Sequence, residues 1–254
     1  MLRRQFRRQP ALPLILAFLA IGSRTVAVQQ LPPAHEIVSR YVAAIGGEAA
    51  VRKQAAWEAH GRFAVPASGL NGDLVIYQDA GRMYSRIAIP GIGELLQGYD
   101  GEVGWSINPL EGPRVLEGLE LARTKEEASR GATLRDSTVV QSLTTLEKST
   151  VDGSECWKVK VVWKSGRETI DCFSVDTGLL IATEGRATTT MGEFDYTTAV
   201  HDYRQFGEVR IATRIVQRAL GQEQVVTTDS VRFGPVDPAR FALPDPIKAL
   251  VGQS

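Results

Sequence analysis

From Trp57 onward the chain keeps a two-residue beat, and that beat constrains the fold more than any other feature. In "WEAHGRFAV" Trp57, Ala59, Gly61, Phe63 and Val65 fall on one side, with Glu58, His60, Arg62 and Ala64 on the other. "GDLVIYQD" and "RMYSRIAI" follow, separated by Ala80-Gly81. "ELLQGYD" and "EVGWSIN" turn at Asp100-Gly101, and Asp-Gly between alternating runs is a strong hairpin signal. Later turn signals fall at Asp152-Gly153, Ser165-Gly166, Asp176-Thr177-Gly178, Glu184-Gly185, Gly207-Glu208 and Gly221-Gln222. Most are one strand plus one turn apart, the rhythm of an antiparallel meander. "CWKVKVVWK" sets Trp157, Val159, Val161 and Trp163 against Lys158, Lys160 and Lys164, so one face is apolar and the other solvated.

Three segments leave this rhythm. "AHEIVSRYVAAIGGEAAVRKQ" places Ile37, Tyr41, Val42 and Ile45 at helical spacing, with Gly46-Gly47 as the stop and "GEAAVRKQ" as a second short helix. "EGLELARTKEEASRGATLRDST" is rich in helix formers and predicts a helix from about Leu119 to Arg130, extending toward Ser137. "VDPARFALPD" reads as a docking tail in which Phe241 and Leu243 cap the sheet. The expected fold is mainly β with α: an open, incomplete antiparallel β-barrel of about ten or eleven strands. N-terminal helices and a mid-chain helix cover its concave face. No linker interrupts residues 57–243, which predicts one domain over residues 28–254.

The two cysteines leave two readings open. "ECWKVKVVWKSGRETIDCF" is a hairpin turning at Ser165-Gly166. With a two-residue loop Val159 faces Cys172, Val161 faces Ile170 and Lys160 faces Asp171. Cys156 and Cys172 then lie on opposite faces and cannot bond. A one-residue bulge brings them to one face as diagonal neighbours, within disulfide reach.

The first 27 residues have the pattern of a secretory signal peptide. Arg3, Arg4, Arg7 and Arg8 precede an apolar run from Ala11 to Ile21, and small residues allow a cut after Ala27. The run is about half of the roughly 20 residues a spanning helix needs. No cysteine follows it closely, so there is no lipobox for acylation. The expected product is periplasmic, not lipidated and monomeric. Removing residues 1–27 takes away five arginines and no acid, which leaves 24 basic against 29 acidic residues. A net-acidic chain argues against nucleic acid as a partner.

Motifs for chemistry are missing. His35, His60 and His201 have no partner at metal-ligand spacing, no GxSxG elbow occurs, and "PGIGELLQG" lacks the lysine of a P-loop. "EFDYTTAVHDY" puts Glu193, Asp195 and His201 on one face, which is a solvated strand face. The expectation is no cofactor, no metal and no enzymatic step. What remains is apolar surface. Tyr77, Tyr84, Ile87, Tyr99, Trp105, Ile107, Trp157 and Trp163 either fill a closed core or line a cavity. One mid-chain helix is too little to fill a long curved sheet, so these eight are the candidate ligand-binding residues, with Ile89 beside them.

Four segments resemble a known family: "EIVSRYVAAIGGEAAVRK", "GYDGEVGWSINPLEGPRVLEG", "DGSECWKVKVVWKSGRETIDCFSVDTGLL" and "DPARFALP". They are similar to the bacterial outer-membrane lipoprotein-sorting proteins, the LolA-like superfamily. The resemblance implies a half-pipe of antiparallel strands with helices across its mouth. It also implies periplasmic binding of a lipidated or amphiphilic ligand, passed between membrane donor and acceptor proteins. The family's carriers hold the lid closed with an arginine, a role assigned to no residue here. Where relatives often have proline after the Gly207 turn, this chain has Ala212. The expected function is therefore a periplasmic carrier for a lipoprotein or other amphiphilic ligand. The alternatives are an envelope lipid-state sensor or interaction module and, behind both, a lipid-modifying enzyme.

Overall fold

A computed structural model describes residues 30–189 and 192–252. The expected signal peptide, residues 1–27, lies outside them. The elements begin with α1 (Ala34–Ala44) and α2 (Glu48–Lys53). Six strands follow: β1 (Trp57–Val65), β2 (Leu70–Asp79), β3 (Arg82–Ile89), β4 (Gly93–Tyr99), β5 (Gly104–Asn108) and β6 (Gly112–Val115). Then come α3 (Gly118–Ala128) and α4 (Arg130–Leu134). Seven more strands are β7 (Val140–Val151), β8 (Ser154–Trp163), β9 (Glu168–Ser174), β10 (Leu180–Thr189), β11 (Gly192–Phe206), β12 (Val209–Ala219) and β13 (Gln222–Phe233). The tail ends in α5 (Asp245–Val251).

All strands join one antiparallel sheet in the order β6-β5-β4-β3-β2-β1-β13-β12-β11-β10-β9-β8-β7. The chain meanders outward from β1 to the edge strand β6, restarts at the opposite edge with β7, and meanders back until β13 pairs with β1. The two edges do not pair, so the barrel is open. Residues 116–139 must connect one edge to the other, and this connection carries α3 and α4 across the concave side.

Thirteen strands exceed the expected ten or eleven. The four-residue β6 contains Pro113 and is too short to show alternation. Glu184-Gly185 is not a turn but lies inside β10. The predicted mid-chain helix is broken at Ser129, whose backbone is extended and whose Oγ accepts from Gly131 N to start α4. The C-terminal helix α5 was not foreseen.

The β8–β9 hairpin resolves the cysteine question. Trp163 N donates to Arg167 O at 2.9 Å, which leaves a three-residue loop, Lys164-Ser165-Gly166, with Gly166 at φ +87°. The extra residue shifts the register by one, so Lys158 faces Cys172 and Val159 faces Asp171. Cys156 and Cys172 then share a face and are disulfide-bonded, with Cα atoms 5.5 Å apart.

The main core lies between α1 and the concave face of β8 and β9. Ile37, Val38, Tyr41 and Ile45 of α1 meet Val159, Val161, Trp163 and Phe173. The rings of Tyr41 and Phe173 sit 5.3 Å apart. Val159, Val161 and Phe173 are fully buried, and each such side chain contributes about 1.5–3 kcal/mol. A second cluster forms where the tail lays Val236 and Phe241 on Tyr77.

Candidate functional site

A cleft of about 900 Å³ lies between α3 and the β9–β11 part of the sheet. Its position follows from strand pairing. The β9–β10 ladder stops at Thr169 and Gly185, whereas β10 and β11 stay paired out to Thr189 and Gly192. The β8–β9 and β10–β11 hairpins therefore part, and residues on both sides of that parting line the cleft. Tyr196 and Ala187 supply apolar surface from the sheet, and Leu116 and Leu119 from the α3 side. Gly185 is required here for a close approach: a Cβ would stand 2.6 Å from the Tyr196 hydroxyl. The Arg123 guanidinium lies 5.7 Å from the centre of the Tyr196 ring, across the cleft. Charged residues make up much of the remaining lining.

The roof is fixed at its far end. The Glu126 carboxylate accepts from Arg167 at 3.0 Å and from Ser165 N at 3.3 Å, which ties α3 to the β8–β9 loop. Gln78 on β2 donates to the last α3 carbonyls, Glu127 at 3.1 Å and Ala128 at 2.6 Å. Arg130 donates to Ala55 O and Gln78 Oε1 with its guanidinium over Trp57. Burial pushes Arg130 down to about 10. Beyond it, Arg135 bridges Asp171 at 2.9 Å with side chains only 11% and 1% exposed. Thr183 donates to the other Asp171 oxygen at 3.0 Å. Burial opposes the Arg135 charge, but the Asp171 carboxylate outweighs it and raises the arginine above its ordinary value. A buried, hydrogen-bonded pair of this kind is costly to break from one side.

None of the eight sequence-predicted residues lines this cleft. Trp157 and Trp163 pack in the core beneath α1. Tyr77, Tyr84 and Trp105 form a row of rings 6.0 and 6.1 Å apart across β2, β3 and β5. Ile107 shares their face through its pairing with Leu96. That face is the one on which the tail lies, with Arg240 over the Tyr77 ring at 5.1 Å. Ile87 and Tyr99 occupy the other face. Lys125 of α3 stands 5.8 Å from the Tyr99 ring, and Ile87 pairs with Leu95 next to Gln97, which bonds Thr124 of α3. Alternation tells which residues share a face but not which face becomes concave. Tyr196 was visible as an apolar-face residue, yet Gly185 beneath it resembled a turn signal and hid the site.

The histidines stay outside the cleft. His60 Nε2 meets Glu58 at 2.6 Å, but both lie on the β1 face opposite α3, and the imidazole is half exposed. Among the described residues no group of three or more His, Cys, Asp or Glu is placed to hold a metal ion. No described helix is long and apolar enough to cross a membrane.

An open antiparallel barrel with a helical strap across its mouth matches solved structures over nearly their whole length. A LolA superfamily protein from Nitrosomonas europaea aligns with a TM-score of 0.55 at 13% identity, covering 84% of this chain and 99% of that one. The chain has the LolA-like fold. A DUF1329 family protein from Desulfovibrio piger aligns with a TM-score of 0.57 at 13% identity, covering 84% of this chain and 98% of that one. A domain of the outer membrane lipoprotein-sorting type from Vibrio parahaemolyticus gives 0.51 at 12% identity, covering 81% and 94%. No protein-family model matches the sequence, and no curated protein matches it.

Proposed function

We propose that this protein binds an amphiphilic ligand of the bacterial envelope in the cleft beneath α3 and carries it shielded from water. The observation that carries the reading is the cleft itself: about 900 Å³ of room at the parting of two hairpins, with aliphatic surface from Leu116 and Leu119 and a charged rim. Sites for small ligands span about 300–1,000 Å³. Leu119 is 52% exposed and lines the cleft, so a ligand covering it removes apolar surface from water. Ile87 and Tyr99 lie on the sheet face that α3 covers, and in this reading an acyl chain running along the helix would meet them. The signal-like residues 1–27 supply export to the periplasm, and the lipoprotein-sorting type among the LolA-like structures supports the ligand class.

The test is direct. Delipidated protein is expected to bind a fluorescent fatty-acyl probe, and Leu119→Asp is expected to weaken that binding about tenfold. Failure of the wild-type protein to bind any acyl probe would end the reading.

A further inference from the structure

We propose that the cleft prefers an amphiphile whose headgroup carries both charges, a zwitterionic phospholipid headgroup, over amphiphiles of a single charge. This rests on the reading that the cleft holds an amphiphile and adds the chemistry of its polar end. Five cationic and five anionic residues line the cleft. On the α3 side Arg114 bridges Glu120 at 2.6 Å and Arg123 bridges Glu127 at 2.7 Å. On the sheet side Lys160 bridges Glu168 at 2.8 Å and Arg186 bridges Asp195 at 2.9 Å, both on the strand face opposite Tyr196 and joined to the cleft through the parting of the two hairpins. Each wall is neutral in itself. The remaining two are also matched, Arg167 by Glu126 and Glu184 by Lys158, each at 3.0 Å.

Every side chain in the four wall bridges keeps at least 26% of its surface exposed. Such bridges are weak and exchange readily. A zwitterion enters one without leaving a charge alone, its phosphate taking the cation and its ammonium the carboxylate. A singly charged headgroup takes one partner and leaves the other without its counter-charge. Specificity then comes from the penalty on the wrong ligand. At the β5–β6 wall, Ser106 Oγ and Arg114 Nε have no hydrogen-bond partner, although the Glu111 carboxylate stands 3.5 Å from that nitrogen. These two residues are directly opposed across the strands, and the Arg114 guanidinium that Glu120 holds is the donor group for phosphate oxygens.

Calorimetry with short-chain probes below their micelle concentrations decides the matter. Dihexanoylphosphatidylcholine is expected to bind the purified, delipidated protein about tenfold tighter than dihexanoylphosphatidylglycerol or octyltrimethylammonium. Glu120→Gln is expected to move the ratio about tenfold toward phosphatidylglycerol, and Arg186→Gln to move it toward the cationic probe. Equal affinities for the three probes overturn the inference while the carrier reading stands. So does an unchanged ratio in both variants when their melting curves match the wild type. Free phosphocholine binding as tightly as the lipid assigns the cleft to a soluble zwitterion and overturns the lipid headgroup. If none of the probes binds and the fluorescent acyl probe also fails, the carrier reading falls first.

Discussion

On the β8–β9 flank the concave face is closed: α1 lies on it, Phe173 and Val159 are fully buried, and the Arg135–Asp171 pair is sealed inside. One hairpin along, at β10–β11, the same concave side carries Gly185, Ala187 and Tyr196 beneath a gap of about 900 Å³. The strands are built on the same alternating pattern. What differs is side-chain volume and the presence of a helix with complementary apolar spacing. Filling is therefore a property of what covers a strand, and the open flank is open because small residues face a helix, α3, whose facing side is mostly charged.

The comparison can be broken by exchanging the behaviour of the two flanks. The largest effect is expected for Asp171→Ala, which leaves Arg135 charged and without its carboxylate counter-charge within the core. A loss of about 3–5 kcal/mol in urea unfolding is expected, with acyl-probe affinity per folded molecule unchanged. Next comes Gly185→Ala, whose new Cβ would stand 2.6 Å from the Tyr196 hydroxyl. It is expected to cost about 1–3 kcal/mol and to change probe affinity as the Tyr196 ring is displaced. A destabilised variant with wild-type binding would separate Tyr196 from the ligand.

The closed flank should also show in alkali. Burial raises Tyr41 above the ordinary 10.0, opposed by Arg135. The stabilisation is fully present below pH 10, where the phenol is protonated in both states. Above pH 10 the unfolded phenol ionises while the folded one does not, so stability falls as pH rises toward the raised folded value. The loss is at most about 1.4 kcal/mol per pH unit, and Tyr41→Phe should remove that part of the pH dependence in unfolding curves between pH 9 and about 11. The smallest effect on stability is expected on the open flank: Leu119→Asp should stay within about 0.5 kcal/mol of wild type while weakening the probe.

The fold was more legible than the site, for physical reasons. Helical spacing of Ile37, Tyr41 and Ile45, ended by Gly46-Gly47, located α1 because its apolar stripe has one partner and one period. The meander was legible from turn residues, though Gly185 shows that glycine marks close approach as readily as reversal. The disulfide hinged on one loop residue, Lys164, which flips the face of every side chain beyond it. The cleft was hidden because its walls come from residues spread between Gln97 and Thr197. Its charges also sit in cross-strand and one-turn pairs, which any solvated surface shows. Tyr77, Tyr84 and Trp105 were named as apolar residues for a cavity, but strand register sets them on one face and the path of the C-terminal tail covers that face from outside.

The seam between β1 and β13 sets the order of assembly. Every other strand pairs with its neighbour in sequence, so each hairpin closes over a short loop. The seam alone joins residues as distant as Trp57 and Phe233. Local ladders form early and long-range closures late, because chain entropy must be spent before contacts return it. Nascent protein should therefore pass through two separate ribbons, each with two unpaired edges, whose meeting along β1 and β13 is the slow and aggregation-prone event. A chaperone that guards this chain would have that seam to cover.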